Sequence, residues 1–171
     1  MLRPIYHYLL YKYDFQESDH PKPWYQQSIP AAVVENEKAK IIWDLPFHLD
    51  KAPENGANRI DMAVLDKGKK TWILVEGTIC TVGSIEERTR HKHEKYTDLR
   101  AGIKNIYRDC TVIQKNIVFD FLGGYHNVLE KEINSLTTNS QETDYLLKKS
   151  QKWILSQNAE IVKKFYEFTA Q

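Results

Sequence analysis

The sequence has few cysteines, little net charge and no long apolar run, and each shortage excludes a class of protein. Its two cysteines, Cys80 and Cys110, provide neither a disulfide framework nor a Cys-x-x-Cys metal knuckle. The net charge is only +1, so any contact with nucleic acid would use local basic patches rather than a polycationic surface. No apolar run approaches the roughly 20 residues that a membrane-spanning helix needs, and no signal peptide opens the chain. We therefore expect a soluble, intracellular protein that makes no contact with a membrane.

The remaining composition is that of a folded domain. The chain has 171 residues, of which 42% are hydrophobic and 12% aromatic, which suits one domain with a sizeable core. The residue patterns predict a helix over 3–13, an extended connector over 19–30, a strand over 39–47, a hairpin over 58–79, a long helix over 84–108, a strand over 111–122 and a helix over 126–136.

A polar segment over 137–143 then leads to one or two C-terminal helices. This order indicates an α/β fold with a mixed central sheet of about four strands flanked by helices. Within residues 1–171 we predict one domain, with a core over about 24–136 and a C-terminal helical extension over 137–171.

The predicted hairpin, "NRIDMAVLDKGKKTWILVEGTI", carries one acid in each strand, Asp61 and Glu76. An acid inside a β-branched and aromatic run opposes the local propensity and is costly to bury. Two carboxylates at the cross-strand spacing of about 4.5–5.5 Å repel each other. A divalent cation is the usual physical reason to keep such a pair, and two acids on the wet face of a sheet are the alternative.

The turn decides how these acids face each other. A two-residue type II′ turn on Gly68-Lys69 would place Asp61 directly opposite Glu76. A turn on Lys67-Gly68 would make them diagonal neighbours on the same face, and only a three-residue loop would separate them.

The predicted helix over 84–108 adds positive charge to the same region. Ser84 and Glu87 have the spacing of an N-terminal capping box. The apolar stripe of the helix passes through Ile106, Ile103, Leu99 and Tyr96, and continues toward the N-terminus through Lys95, Lys92 and Arg88. Two acids, a divalent ion and a lysine form the usual apparatus for phosphodiester hydrolysis.

Three blocks of the chain resemble a known family when they are taken together. The blocks "WYQQSIPAAVVENEKAKIIWDLPF", "NRIDMAVLDKGKKTWILVEGTI" and "EERTRHKHEKYTDLRAGIKNIY" resemble successive parts of the restriction-like endonuclease domain of non-LTR retrotransposons, a branch of the PD-(D/E)XK superfamily. The resemblance runs from about Trp24 to Gly124. It implies a PD-(D/E)XK restriction-endonuclease-like core and a nuclease that uses Mg²⁺ (or Mn²⁺) to nick duplex DNA. It also implies a nuclear location, with RNA or a reverse transcriptase portion absent from this chain as further partners.

The resemblance assigns roles to particular residues. Asp61 matches the first acid and Glu76 the second, and with Gly77 they would form the metal site. The motif lysine has migrated to the helix in this branch, which implies that Lys92 or Lys95 is catalytic. The residues expected at the DNA are Arg88, Arg90, Lys92, Lys95 and Tyr96, the last of which matches the tyrosine of "EKY".

The chain departs from the family pattern at several points. Ile60 stands in place of the usual proline, and Gly77 and Thr78 stand where the motif lysine is expected. An upstream zinc knuckle and the reverse transcriptase are absent. The competing interpretation is therefore a catalytically inactive nucleic-acid-binding or protein-interaction domain with the same fold.

Other charged residues are secondary candidates. Glu35 or Glu37 would be a further metal-shell acid or a solvated loop acid, and the hairpin lysines Lys67, Lys69 and Lys70 would contact DNA phosphate or only solubilise the turn.

Overall fold

A five-stranded mixed sheet flanked by helices organises the computed structural model, which describes residues 1–15 and 30–169. The strands, whose spatial order follows the chain, are β1 (Val33–Glu35), β2 (Ala39–Trp43), β3 (Met62–Asp66), β4 (Thr71–Cys80) and β5 (Thr111–Asp120). The first four strands are antiparallel, and β5 joins β4 in parallel after a helical crossover. The predicted α/β class with a mixed sheet is confirmed.

The helices divide between the two faces of this sheet. They are α1 (Arg3–Lys12), α2 (Ile85–Lys95), α3 (Thr97–Ile106), α4 (Asn127–Asn134) and α5 (Ser140–Thr169). One core contains buried residues of α1, α4 and α5, and the other contains Leu99 and Ile103 of α3. Among the described residues, no helix is both long enough and apolar enough to cross a membrane.

The alternation of side chains along the strands explains why there are two cores. Met62, Val64 and Val75 lie in the core on the α1 side, whereas Ala63 and Leu74 lie in the core on the α3 side. Both faces of β3 and β4 are therefore buried, as their nearly continuous apolar runs require. An acid placed in these strands has to be accommodated by its neighbours.

The prediction of about four strands was wrong by one. The additional strand, β1, has only three residues, with a burial pattern of exposed, intermediate and exposed, so its sequence carries almost no periodic signal. The strand predicted over 39–47 is also shorter, because β2 ends at Trp43 and Asp44 takes a left-handed φ of 52°. Pro46 forms only an isolated bridge with Arg59.

The single helix predicted over 84–108 is in fact two helices that meet at Tyr96. Tyr96 has φ −100° and ψ 18°, outside the helical range, and only 2% of it is exposed. The Arg100 guanidinium donates to the carbonyl oxygen of His93 at 2.8 Å, which provides a partner for a carbonyl near the break. Burying the tyrosine ring thus takes precedence over continuing a helical pattern that the sequence allows.

The predicted capping box is also absent. Ser84 is the N-cap residue of α2, but its side chain makes no capping hydrogen bond. Its hydroxyl donates instead to the carbonyl oxygen of Thr81 at 2.9 Å.

The ends of the chain follow the predicted elements in part. The first helix is confirmed as α1, whereas residues 19–29 of the predicted connector, and Trp24 with them, lie outside the described residues. The C-terminal region is one helix that begins at Ser140, within the segment predicted as a linker. Leu146 and Ile154 of this helix lie in the α1-side core. The division into a core and an extension stays a prediction.

Candidate functional site

Asp61 and Glu76 meet where β3 begins beside the middle of β4. The observed register pairs Met62 with Val75, and its continuation by one residue places Asp61 opposite Glu76. This is the register that the two-residue turn predicted. Because β4 continues beyond β3 from this point, the two acids lie at an open edge of the sheet.

The turn that sets this register differs from the predicted type. Four residues, 67–70, separate the paired strand ends, and the left-handed conformation belongs to Lys70, with φ 47°, rather than to Gly68. The Asp66 carboxylate accepts a hydrogen bond from the Lys69 backbone N–H at 2.8 Å. A side-chain contact therefore stabilises the turn in place of the glycine geometry of type II′.

Glu76 is a buried acid held by one lysine. Only 3% of the residue is exposed, and its Oε1 accepts a hydrogen bond from Lys92 Nζ at 2.5 Å. The lysine reaches it from α2, and 22% of the Lys92 side chain stays exposed. The second oxygen, Oε2, is buried and has no hydrogen-bond partner among the described residues. Lys92 thus neutralises one oxygen of the carboxylate, and the Tyr96 hydroxyl lies beside the carboxylate without completing a hydrogen bond to the other oxygen in this structure.

Asp61 lies beside this pair and is less deeply buried. Its Oδ2 accepts a hydrogen bond from the Gly77 backbone N–H at 2.8 Å, at the edge of β4 that β3 leaves uncovered. Burial raises the pKa of Asp61 above its ordinary value, and the negative charge of Glu76 raises it further. The Gly77 hydrogen bond and the Lys92 charge oppose this rise. Asp61 therefore gives up its proton less readily than an isolated aspartic acid.

The two candidate lysines have different environments. Lys95 Nζ lies 3.1 Å from the Tyr96 hydroxyl and 4.7 Å from the centre of the Tyr96 ring, whereas Lys92 contacts Glu76. Burial raises the pKa of Tyr96, and the neighbouring Glu76 charge adds to the shift. The tyrosine is therefore a neutral, buried support beneath the acids. Of the two lysines, Lys92 is the one that contacts an acid of the site.

Two polar residues of β5 hold α2 in place, and the sequence reasoning missed both. Gln114 Nε2 donates to the carbonyl oxygen of Lys92 at 2.9 Å, and Asn116 Nδ2 donates to that of Thr89 at 3.2 Å. Gln114 also donates to Asn116 Oδ1 at 2.8 Å and accepts from the Arg100 guanidinium. The available signal was the alternation of two amides within an apolar strand, which places both on the face toward α2.

A cavity of about 450 Å³ lies next to Asp61. Its lining includes the aromatic rings of Trp43 and Trp153, together with Asp44, Asp61 and Gly77. Asp44 is held there by Arg59, whose Nε and Nη2 donate to its two oxygens at 2.7 and 2.6 Å. The side of Asp61 away from α2 therefore faces open space of molecular size.

The remaining candidate residues are two arginines of α2 and an acid near the far end of β3. Arg88 and Arg90 are exposed on α2. Glu35 pairs with Lys40 at 3.1 Å and with Lys67 at 2.8 Å, near the opposite end of β3 from Asp61. It therefore contributes nothing to the metal shell in this structure.

The donors at the site suit a hard cation. Across residues 1–15 and 30–169, no group of three or more histidine, cysteine, aspartate or glutamate residues is arranged to hold a metal. Mg²⁺ does not require such a cage, because one or two carboxylates with water and substrate oxygens are its usual ligands. The neighbouring carboxylates of Asp61 and Glu76, with the unpartnered Oε2, fit this donor set.

Comparison with protein-family models, with curated proteins and with solved structures finds no match for this chain. Its functional interpretation therefore depends on the geometry of the site and on the sequence blocks that resemble a nuclease domain.

Proposed function

We propose that the protein is a divalent-metal-dependent endonuclease that hydrolyses a phosphodiester of duplex DNA. The observation that carries the proposal is the contact of Lys92 with the buried Glu76 beside Asp61, at the open edge of the sheet. A surface pair of acids would not need a buried carboxylate or a lysine directed at it from another element. The arrangement brings together the three charged groups that phosphodiester hydrolysis uses.

Each residue would have a distinct part in the reaction. Asp61, Glu76 and the backbone of Gly77 would hold Mg²⁺ or Mn²⁺, which supplies Lewis-acid chemistry and an activated water when bound. Lys92 places a positive charge beside the metal ligands, where it stabilises negative charge that develops on the phosphate. Gln114 and Asn116 fix the backbone of α2 and so restrict where that charge lies.

Recognition of DNA would depend on the exposed residues of α2. Arg88 lies one turn before Lys92 on α2, so phosphate bound by it would lie near the acids, whereas the exposed Arg90 lines a cavity beside β5 and α4 and would contact phosphate farther from them. Because the net charge of the chain is only +1, this local cluster would provide most of the electrostatic attraction.

The resemblance supports the same conclusion at the level of the family. Acids on two neighbouring antiparallel strands, followed by a helical crossover to a parallel strand, agree with the PD-(D/E)XK restriction-endonuclease-like core that the blocks imply. We extend the proposal to the target-cleaving domain of a non-LTR retrotransposon, with a nuclear location. RNA or a separate reverse transcriptase portion would then be additional partners.

The direct test is incubation with supercoiled plasmid, with and without Mg²⁺ or Mn²⁺. We expect metal-dependent nicking that D61N and E76Q each abolish, with little change in DNA affinity. The matched control is E35Q, because Glu35 is an acid of the same sheet that pairs only with lysines far from the site. Calorimetry that showed unchanged Mn²⁺ binding by both D61N and E76Q would refute the metal site.

A non-catalytic binding module is the second candidate, and one observation favours it. Lys92 already neutralises Glu76 without a metal, so the pair would be stable as a structural ion pair. In that case the plasmid would be bound without being nicked, and D61N would leave both binding and folding unchanged.

A further inference from the structure

Thr78 is the next side chain after Glu76 on the same face of β4. Because side chains alternate along a strand, both residues point toward the α2 side of the sheet. In the described part of the chain, Thr78 Oγ1 is buried and has no hydrogen-bond partner, as is also true of Glu76 Oε2. A buried polar group without a partner destabilises the folded state, so two of them on neighbouring side chains require an explanation.

The polar groups around these two atoms are already engaged with each other. Lys92 donates to Glu76 Oε1 rather than to Oε2. Asn116, which lies opposite Glu76 in the parallel ladder, donates to the Thr89 carbonyl and accepts from Gln114. The remaining donor beside Glu76 is the Tyr96 hydroxyl, whose pKa is raised by burial and by its interaction with Glu76. It does not reach Oε2 with hydrogen-bond geometry, so among the described residues Glu76 Oε2 and Thr78 Oγ1 both lack a partner.

We propose that Thr78 belongs to the cation site, where its hydroxyl holds a water of the hydrated divalent cation that Glu76 Oε2 binds. This inference rests on the proposed function, because it requires the cation at Asp61 and Glu76. Mg²⁺ keeps several of its waters when it binds to proteins, and those waters need hydrogen-bond partners.

The spacing of the two side chains suits this arrangement. Residues two apart on a strand are separated by about 6.4–6.8 Å. The contacts from a carboxylate oxygen to Mg²⁺, from Mg²⁺ to its water, and from that water to a hydroxyl together span up to about 7 Å. A cation with a bridging water is therefore long enough to connect the two side chains.

The residue type also agrees with the division of roles at the site. Thr78 and Gly77 occupy the positions where the resemblance led us to expect a lysine, but a hydroxyl carries no charge. Lys92 supplies that charge from α2. Thr78 is left to orient water, for which a hydroxyl that can both donate and accept is well suited.

The test measures Mn²⁺ binding by calorimetry, in the absence of DNA, for the wild type, T78V and T78S. Valine has the shape of threonine without the hydroxyl, so we expect T78V to bind Mn²⁺ about 10-fold or more weakly, in the range observed for other outer-shell partners. T78S keeps the hydroxyl and should restore most of the affinity. Without metal, T78V should unfold at the same or a higher temperature than the wild type, because it removes an unsatisfied buried group.

The matched control is T89V on the face of α2. Thr89 Oγ1 already donates to the Ile85 carbonyl oxygen at 2.8 Å, so its removal should not affect Mn²⁺ affinity. If T78V binds Mn²⁺ as tightly as the wild type while E76Q does not, the inference about Thr78 is wrong and the metal site stands. If the wild type binds no Mn²⁺, both the inference and the proposed function are refuted.

Discussion

Removal of the Lys92 charge tests whether this lysine is catalytic or only part of a structural ion pair. Lys92→Met keeps most of the aliphatic side chain and deletes the ammonium group that contacts Glu76. In the metal-free protein this leaves a buried carboxylate with no positive partner, since only 4% of the Glu76 side chain is exposed. We therefore expect a loss of stability and a loss of catalysis, which different measurements report.

The burial of the ion pair determines the expected loss of stability, and the usual contribution of a charge to the transition state determines the expected loss of rate. Removing one partner of a buried ion pair costs about 3–5 kcal/mol. Because 22% of the Lys92 side chain is exposed, we expect the lower end of that range, about 3 kcal/mol. For a chain of this length, such a change lowers Tm by about 6–12 °C. If the ammonium group stabilises the transition state, the nicking rate should also fall about 10²–10³-fold.

The two roles are distinguished by adding Mn²⁺. In the variant, a cation bound to Glu76 no longer lies beside the Lys92 charge, so Mn²⁺ should raise Tm by at least as much as in the wild type. The rate should nevertheless stay low under single-turnover conditions at a temperature where the variant is folded. A structural lysine would give the opposite result, with the rate recovering fully once Mn²⁺ restores the fold.

Lys95→Met is the matched control on the same helix. Lys95 contacts Tyr96 rather than an acid, so its removal should leave Tm within a few degrees and the single-turnover rate close to that of the wild type. Nicking by Lys92→Met at the wild-type rate would refute the assignment of Lys92. A large loss of rate confined to Lys95→Met would transfer the role to Lys95.

Three further predictions concern pH, helix placement and DNA affinity. Because the pKa of Asp61 is raised in the folded protein, ionisation of this residue opposes folding when no metal is bound. The stability of the wild type relative to D61N should therefore fall as pH rises from the ordinary pKa of 3.8 through the raised pKa, and denaturant titrations at each pH measure this difference. Gln114→Ala should slow single-turnover nicking by about 10-fold, and a double-mutant cycle should show that this effect disappears when Lys92 is already methionine. Arg88→Ala and Arg90→Ala should each remove about one phosphate contact, which would change the slope of log K for DNA binding against log salt concentration by about 0.9. A slope close to zero for the wild type would favour a protein-interaction domain.

The hairpin register was predictable because it depends on local constraints. The turn residues Gly68 and Lys69 mark the middle of the connection, and this fixes which residues of "MAVLD" face which residues of "TWILV". Asp61 and Glu76 therefore met as predicted, although the turn between the strands is of another type. The register was right because the two-residue turn expected on Gly68-Lys69 and the observed four-residue loop over 67–70 have the same centre, so both place Asp61 opposite Glu76.

The order of elements was predictable for a similar reason, but their limits were not. The crossover helix had a clear apolar stripe, of which Tyr96, Leu99 and Ile103 are buried. Its break at Tyr96 depends on the space between the sheet and the two helices, which no residue pattern within the helix records. The strand β1 is stabilised by pairing with β2 rather than by its own sequence.

The sequence alone determined which chemical groups the site contains, and the tertiary structure decided which of them act together. Two acids on paired strands and two lysines on the next helix could be read from local periodicity. The choice between Lys92 and Lys95 required the position of α2, which Gln114 and Asn116 set through hydrogen bonds from a strand more than twenty residues away along the chain. That Glu76 Oε2 and Thr78 Oγ1 lack hydrogen-bond partners among the described residues could not be predicted from the sequence, because satisfaction of buried polar groups is a property of the packed structure.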